Sequence, residues 1–278
     1  MILPLPLAPR TQDCTVTVVV DSLLGNLAYT NTRRTRFRKQ PLRQTAHGWL
    51  YAVTVLDFEQ TETAGLAQLD ADTAGLRREL LIETDAAGGL LRVCNKPALH
   101  QHWADLLPQL LKKYRHSDEI SPAMVEGIGS VLHGDGYLED VLRRGYEYST
   151  LFPALYGQRY TPTPVAGRPR TLARFLGDLN LPLRTTARQQ APVPADVEWG
   201  VLVEGTVDPD EYPKQATRQV LCTMTDRYDL DTALDLQHLE SYEFDRHAEL
   251  QHAAQFTVYG VSGVFMNKTL CTLAPTAA

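Results

Sequence analysis

The chain has 278 residues, of which 44% are apolar, 8% aromatic and 22% charged, the makeup of a globular protein able to bury a sizeable core rather than of a disordered one. Its 27 basic and 33 acidic residues leave a net charge of −6, which excludes the dominant positive surface that non-specific nucleic-acid binding needs. No window approaches about 18 uninterrupted apolar residues, so no transmembrane helix is expected.

The opening stretch, "MILPLPLAPR", has no leading positive charge and is interrupted by prolines. It does not read as an export signal, and a cytoplasmic location is expected. Strand-like runs follow at "CTVTVVVDS", "LAYTNTRRTRF", "GWLYAVTVLDF" and "RELLIETDAAGGLLRVCN", the last with "AAGG" as the connection of a hairpin. Between the third and fourth runs, "TETAGLAQLDADTAGLR" fits a short helix or a long loop.

The second run is electrically distinct. Arg33, Arg34, Arg36, Arg38, Lys39 and Arg43 stand in a segment with no carboxylate between Asp21 and Asp57. Taking these six from the 27 basic residues leaves 21 against 33 acidic ones, a net −12 for the rest of the chain. A strand would put Arg34, Arg36 and Arg38 on one face and Arg33, Thr35, Phe37 and Lys39 on the other. The arginines then either guard a solvent-facing strand against unwanted pairing or form a docking patch for an acidic protein surface.

The middle of the chain is helical. Asn95 is placed to cap a helix from Lys96 to Tyr114, with Leu99, Trp103, Leu106, Leu110 and Tyr114 at helical spacing and a kink expected at Pro108. "SPAMVEGIGSVL" opens with a serine cap and a proline at the first helical position, and "YLEDVLRRGYEYSTLF" supplies one more helix. Residues 157–196 contain Pro162, Pro164, Pro169, Pro182, Pro192 and Pro194 and read as a crossover with one short element near "TLARFLGDL".

Period-two alternation returns in the last third. Val197, Trp199, Val201, Val203 and Val207 share a face opposite Glu198, Glu204 and Asp208. Alternating Val220, Cys222, Met224 and Tyr228 predict another strand over 216–228. From Leu230 to Phe244 the even positions share a face, and "AAQFTVYGVSGVF" and "KTLCTL" follow. Four or five sequential strands thus form an antiparallel meander with one wet face.

These elements make one α+β domain over residues 1–278: N-terminal strands 1–95, a helical segment 96–156, a crossover 157–196 and a C-terminal antiparallel meander 197–275. Long strands with one apolar face bury it by curling around the helices. The expected form is an open or half-closed barrel with the helical segment on its concave face. In architecture alone, with no motif behind it, this resembles the half-barrels of bacterial lipoprotein carriers.

Few residues suggest chemistry. His238 and Glu240 interrupt the apolar register of their strand, with Tyr242 next on the same face, and two ionisable groups there need partners or water. They are candidate ligand-binding groups, or a His/Glu acid–base pair. His238, His247 and His252, near Glu243, Asp245 and Glu249, match no metal-ligand spacing. His100 and His102, at i and i+2 on a helix, do not face each other. "GIGSVLHGDG" lacks the spacing of a phosphate loop. Cys14, Cys94, Cys222 and Cys271 form no C-x-x-C pair and read as small buried hydrophobes, with disulfide pairing as the alternative. Tyr146, Tyr148, Phe152, Tyr156 and Tyr160 either line a ligand cavity or pack where helix meets sheet.

No cofactor is implied. The sequence favours a non-enzymatic binding or assembly protein that uses a half-barrel cleft or a protein-docking surface. The alternatives are a carrier of lipid or another apolar small molecule, and a hydrolase or isomerase built on the His/Glu pair.

Overall fold

The computed structural model describes residues 1–194, 197–226 and 233–276. Alternation builds the first half. In β1 (Gln12–Leu24) Cys14, Val16 and Val18 are buried while the residues between them are not. β2 (Leu27–Gln44), β3 (Trp49–Gln60), β4 (Glu79–Thr84) and β5 (Leu90–Val93) follow as an antiparallel meander. β2 runs 18 residues and carries irregularities against β3 at Arg36/Phe37 and Pro41/Arg43, the second accommodating a proline that cannot donate to the ladder. The segment between β3 and β4 is helical: α1 (Gly65–Thr73), then a 3₁₀ turn.

The helical segment begins with α2 (Lys96–Lys113), which buries Leu99, Trp103 and Leu110 and carries Pro108 inside it as one continuous element. Asn95 does not cap it. Its Oδ1 accepts from the Leu81 amide at 2.9 Å and its Nδ2 donates to the Glu79 carbonyl at 2.9 Å, tying the helix start to β4. α3 (Pro122–His133) has the expected cap, with Ser121 Oγ accepting from the Met124 amide at 3.2 Å. It approaches α2 closely at Gly129, where a Cβ would stand 2.5 Å from Trp103 Nε1. The single helix expected next is two, α4 (Tyr137–Arg144) and α5 (Tyr146–Leu151), because Gly145 takes extended backbone angles. α5 lies against the sheet: Thr35 Oγ1 donates to Glu147, Thr150 Oγ1 meets Cys271 Sγ at 3.4 Å, and the Phe37 and Tyr148 rings meet edge to face at 5.8 Å.

The proline-rich region is not a crossover but sheet: β6 (Val165–Ala166), β7 (Arg170–Leu176) and β8 (Leu179–Gln189). Five of its six prolines lie outside these strands, and Pro182, inside β8, stands opposite Thr171 of β7. Pro182 lies one residue before the β8–β9 ladder starts at Leu183, and its carbonyl accepts from the Asp208 amide at 2.9 Å. β9 (Trp199–Val207) is as expected.

The strand expected over 216–228 is instead α6 (Lys214–Thr225); Tyr228 lies outside the described residues. Threonines favour strands, but here Thr217, Thr223 and Thr225 donate their hydroxyls to the carbonyls of Pro213, Gln219 and Leu221, four residues back. Thr217 and Leu221, one turn apart, are both fully buried. Of the strand expected from Leu230, residues 230–232 lie outside the described residues, Ala233 and Leu234 precede the strand, and β10 runs over Asp235–Phe244. β11 (Leu250–Val261) and β12 (Phe265–Pro275) complete the meander.

β1 pairs with β12 from Cys14 opposite Pro275 to Leu24 opposite Phe265, joining the two meanders. The result is one open antiparallel sheet of twelve strands, ordered β5-β4-β3-β2-β1-β12-β11-β10-β9-β8-β6, with β7 on β8 off this path. The first residues pack into it. Leu3 is fully buried, Gly157 donates to its carbonyl at 2.8 Å, and Trp49 Nε1 donates to the Pro6 carbonyl at 3.1 Å. Among the described residues no helix is long and apolar enough to cross a membrane.

Among the described residues two apolar cores form. The larger joins α2–α5 to β1–β5 and to Val201, Val203, Tyr242, Phe244, Ala253, Cys271 and Leu273. The smaller gathers Leu172, Phe175, Leu181, Leu183, Leu221, Tyr259, Val261 and Val264. Leu181→Ala in the smaller core is expected to cost about 2–5 kcal/mol, and Ser121→Ala about 1 kcal/mol; urea unfolding of both variants checks the ranking.

Candidate functional site

The two cores do not meet along the sheet. On the inner face of β11 the buried side chains run Ala253, Gln255, Thr257, Tyr259, so two polar residues separate a large-core residue from a small-core one. β10 repeats the interruption with Glu240 and His238 between Tyr242 and Leu236, and β12 with Thr269 and Asn267 between Cys271 and Phe265. Register aligns these positions. His238 pairs with Thr257, Thr257 with Thr269, and Thr269 with Val20; Glu240 pairs with Gln255, and Gln255 with Cys271. A polar band therefore crosses β10, β11 and β12 on the face that the rest of the sheet uses for its core.

Every group in the band needs a partner, because an unpaired polar group there would be costly. Glu240, only 3% exposed, is the hub. Its Oε1 accepts from Arg170 Nε at 3.0 Å and from His238 Nε2 at 2.9 Å; its Oε2 accepts from Arg170 Nη2 at 3.0 Å and from the Tyr242 hydroxyl at 2.8 Å. Arg170 Nη2 also donates to the Pro153 carbonyl at 3.1 Å. His238 Nδ1 contacts Thr257 Oγ1 at 2.9 Å. The imidazole has room because Gly205 lies opposite it on β9, where a Cβ would come within 2.7 Å of the ring. Gln255 Nε2 donates to the Tyr242 hydroxyl at 2.8 Å and to Ser149 Oγ at 3.3 Å, which links the band to α5.

Burial alone would push the Glu240 carboxyl up. The Arg170 charge and the bonds from His238 and Arg170 outweigh it and hold the carboxyl far below the usual carboxylate range. Burial opposes the charge of Arg170 as well, yet Glu240 carries its pKa above the ordinary guanidinium value. The Tyr242 hydroxyl is pushed well up by burial and by the neighbouring Glu240 charge. All four acceptor directions of Glu240 and both ring nitrogens of His238 are engaged within the protein.

Above the band is an open cleft of about 660 Å³. His238, Glu240, Gln255, Asn267 and Thr269 face it from the sheet, β7 borders it through Arg170–Arg174, and Tyr146, Tyr148, Ser149 and Phe152 of α5 and its end border it elsewhere. Leu90 and Leu91 of β5 add apolar surface. Six arginines and three carboxylates line it: Arg33, Arg143, Arg144, Arg168, Arg170 and Arg174 against Asp85, Asp140 and Glu240. Arg168 pairs with Asp85 at 2.9 Å, and Arg143 with Asp140 at 2.5 Å.

His238, Glu240 and Tyr242 are thus brought together. Of the basic strand only Arg33 reaches the cleft, while Arg34, Arg36 and Arg38 do not line it, and the neighbours of the strand supply the carboxylates its own sequence lacks. Arg38 pairs with Asp13 on β1 at 2.8 Å, while Arg36 stands opposite Asp57 and Arg34 opposite Glu59 on β3. His238, His247 and His252 do not converge: His238 is buried, His247 lies in the turn after β10 beside Arg246, and His252 is exposed on β11. His100 stacks on His133 of α3 at 4.3 Å. All four cysteines are free, and Cys94 is exposed rather than buried. Of the tyrosine and phenylalanine series, Tyr148, Phe152 and Tyr160 are buried, and Tyr146, Tyr148 and Phe152 also line the cleft. Sequence reading missed Arg170, Gln255, Thr257, Asn267 and Thr269. A signal existed for Gln255 and Thr257, which occupy inward positions of "AAQFTVYG" where apolar residues are the rule.

No protein-family model and no curated protein matches the chain. A solved structure described as lipid–protein interactions in lipovitellin is similar at 10% identity with a TM-score of 0.49, over 96% of this chain and 26% of that one. The chain thus spans about a quarter of that protein's length.

Arg170→Met leaves the Glu240 carboxylate buried without its cation and is expected to cost about 3–5 kcal/mol at pH 7, measured by denaturant unfolding. The Glu240 carboxyl ionises in the folded chain well below the unfolded glutamate value of about 4.3, so its contribution is complete above about pH 5. That contribution is lost progressively as pH falls through the ordinary glutamate range towards the folded value. Glu240→Gln is expected to lower stability at pH 7 and flatten its fall between about pH 5 and 3; an unchanged acid slope would contradict this role.

Proposed function

We propose that the protein is a non-enzymatic binding protein and that its cleft holds an amphiphilic organic acid. One observation carries the reading: the cleft is lined by twice as many arginines as carboxylates and walled in part by rings and leucines, while its two candidate acid–base groups are already bonded within the protein. Its size, about 660 Å³, lies within the range of roughly 300–1,000 Å³ usual for small-molecule sites. The acidic end of the ligand meets Arg144 and Arg174, and its apolar part lies along Leu90, Leu91, Phe152 and Tyr259. The band of His238, Glu240, Gln255 and Thr269 forms a polar floor that orients the ligand. On this reading the sheet curls around α5, as a carrier's half-barrel would.

A hydrolase or isomerase reading is disfavoured by the same geometry. A general base must reach the proton it removes, and neither Glu240 nor His238 has an acceptor atom outside the network. The proposal is tested by displacement of a fluorescent undecanoate probe with oleate, lysophosphatidate and uncharged monoolein. The acids are expected to compete at least about tenfold better than monoolein, a difference of about 1.4 kcal/mol, and Arg144→Ala/Arg174→Ala to remove that preference. Equal competition by monoolein, or no saturable probe binding, would overturn it.

A further inference from the structure

A second cavity, of about 260 Å³, is lined by residues of β1, β11 and β12, the end of α5, and Lys39 of β2. Lys39 belongs to the inward face of its strand. Its ammonium stands 4.9 Å from the Tyr51 ring and 5.1 Å from the Phe152 ring, and its hydrogen bond is a long one, 3.5 Å to the Leu151 carbonyl. Among the described residues no carboxylate lies within ion-pair distance of it. The other charged groups of the cavity are paired: Arg10 with Glu249 and with Asp245 at 2.9 Å, and Asp13 with Arg38. Leu151, Leu250, Leu273 and Pro275 make part of its wall apolar.

We propose that Lys39 is the nucleophile of a covalent site in which its amine condenses with a small apolar aldehyde. The amine nitrogen attacks the carbonyl carbon, a proton passes from nitrogen to oxygen to give a carbinolamine, and loss of water leaves a C=N bond. Lysine and aldehyde thus yield an imine and one water, with no oxidant or reductant. Two further features agree. Burial lowers the Lys39 pKa, against smaller opposing effects of Cys14 and Glu249, so more of its amine is free near neutrality than for an exposed lysine. The thiol of Cys14, in the same cavity, is pushed up to about 11 by burial and stays protonated, so it does not compete for the carbonyl.

The test uses the full chain at pH 7 with benzaldehyde and cyanoborohydride, which reduces the imine to a stable benzylamine, followed by intact mass and peptide mapping. Because a lowered pKa leaves more of the amine free, Lys39 is expected to carry the first adduct, ahead of Lys96, Lys112, Lys113, Lys214 and Lys268. Lys39→Arg, checked for folding by near-UV circular dichroism, should abolish that adduct. Adducts spread over the other lysines with Lys39 unmodified would overturn the proposal, and the wild-type result decides it even if the variant fails to fold. Ligand binding in the cleft is read by a different probe, so the two proposals fail separately.

Discussion

The Arg170–Glu240 pair is the contact on which the cleft depends. Among the described strands β7 pairs with β8 alone, off the main path of the sheet, and Arg170 at its first position reaches the inner face of β10. Two parallel hydrogen bonds to one carboxylate fix the guanidinium in direction as well as distance. The same carboxylate orders His238 and Tyr242, and Tyr242 is joined through Gln255 to Ser149 of α5. One buried ion pair thus ties the strand at one border of the cleft to its floor, and through three further bonds to the helix at another.

A buried pair of this kind is not in itself a stabilising device. Removing two charges from water offsets most of their attraction, and well-packed apolar residues often serve a core as well or better. What the pair does here is keep a polar surface between two apolar cores. Leu236 and Tyr259 lie on one side of the band, Tyr242 and Ala253 on the other. With leucines at Gln255 and Thr257 the cores would run together and the space above the sheet would lose its polar floor. The band is also mirrored in part outside: Leu239 and Leu270 are 39% and 36% exposed on the outer face of β10 and β12, so this stretch of sheet is less divided into an apolar and a polar side than its neighbours.

Much of the fold was legible because strand alternation is a local property. β1–β5, β9 and β10–β12 follow runs visible in the sequence, and Ser121 marks the start of α3. The failures have physical causes. α6 presents alternating apolar residues and strand-forming threonines, but hydroxyl bonds to carbonyls four residues back satisfy those threonines in a helix. In 157–196 the prolines suggested irregular chain, whereas five of the six lie outside the strands and Pro182 is accommodated inside β8, opposite Thr171 of β7. The site was half legible. His238 and Glu240 stood out by breaking the register of their own strand, but Arg170 is 70 residues from Glu240 and the alignment with Thr257 and Thr269 is set by cross-strand register. The basic strand looked uncompensated for the same reason: Asp13, Asp57 and Glu59 come from its neighbours.

Whether the cleft holds an acidic amphiphile is decided by native mass spectrometry of the gently isolated protein, with stepwise activation to release what it holds. An occupied cleft gives a peak heavier than the bare chain by one small organic acid, lost on mild activation and absent from a variant with bulky Gln255→Trp in the cleft floor. A bare-chain mass that stays unchanged after exposure to a mixture of fatty and lysophospholipid acids would contradict it.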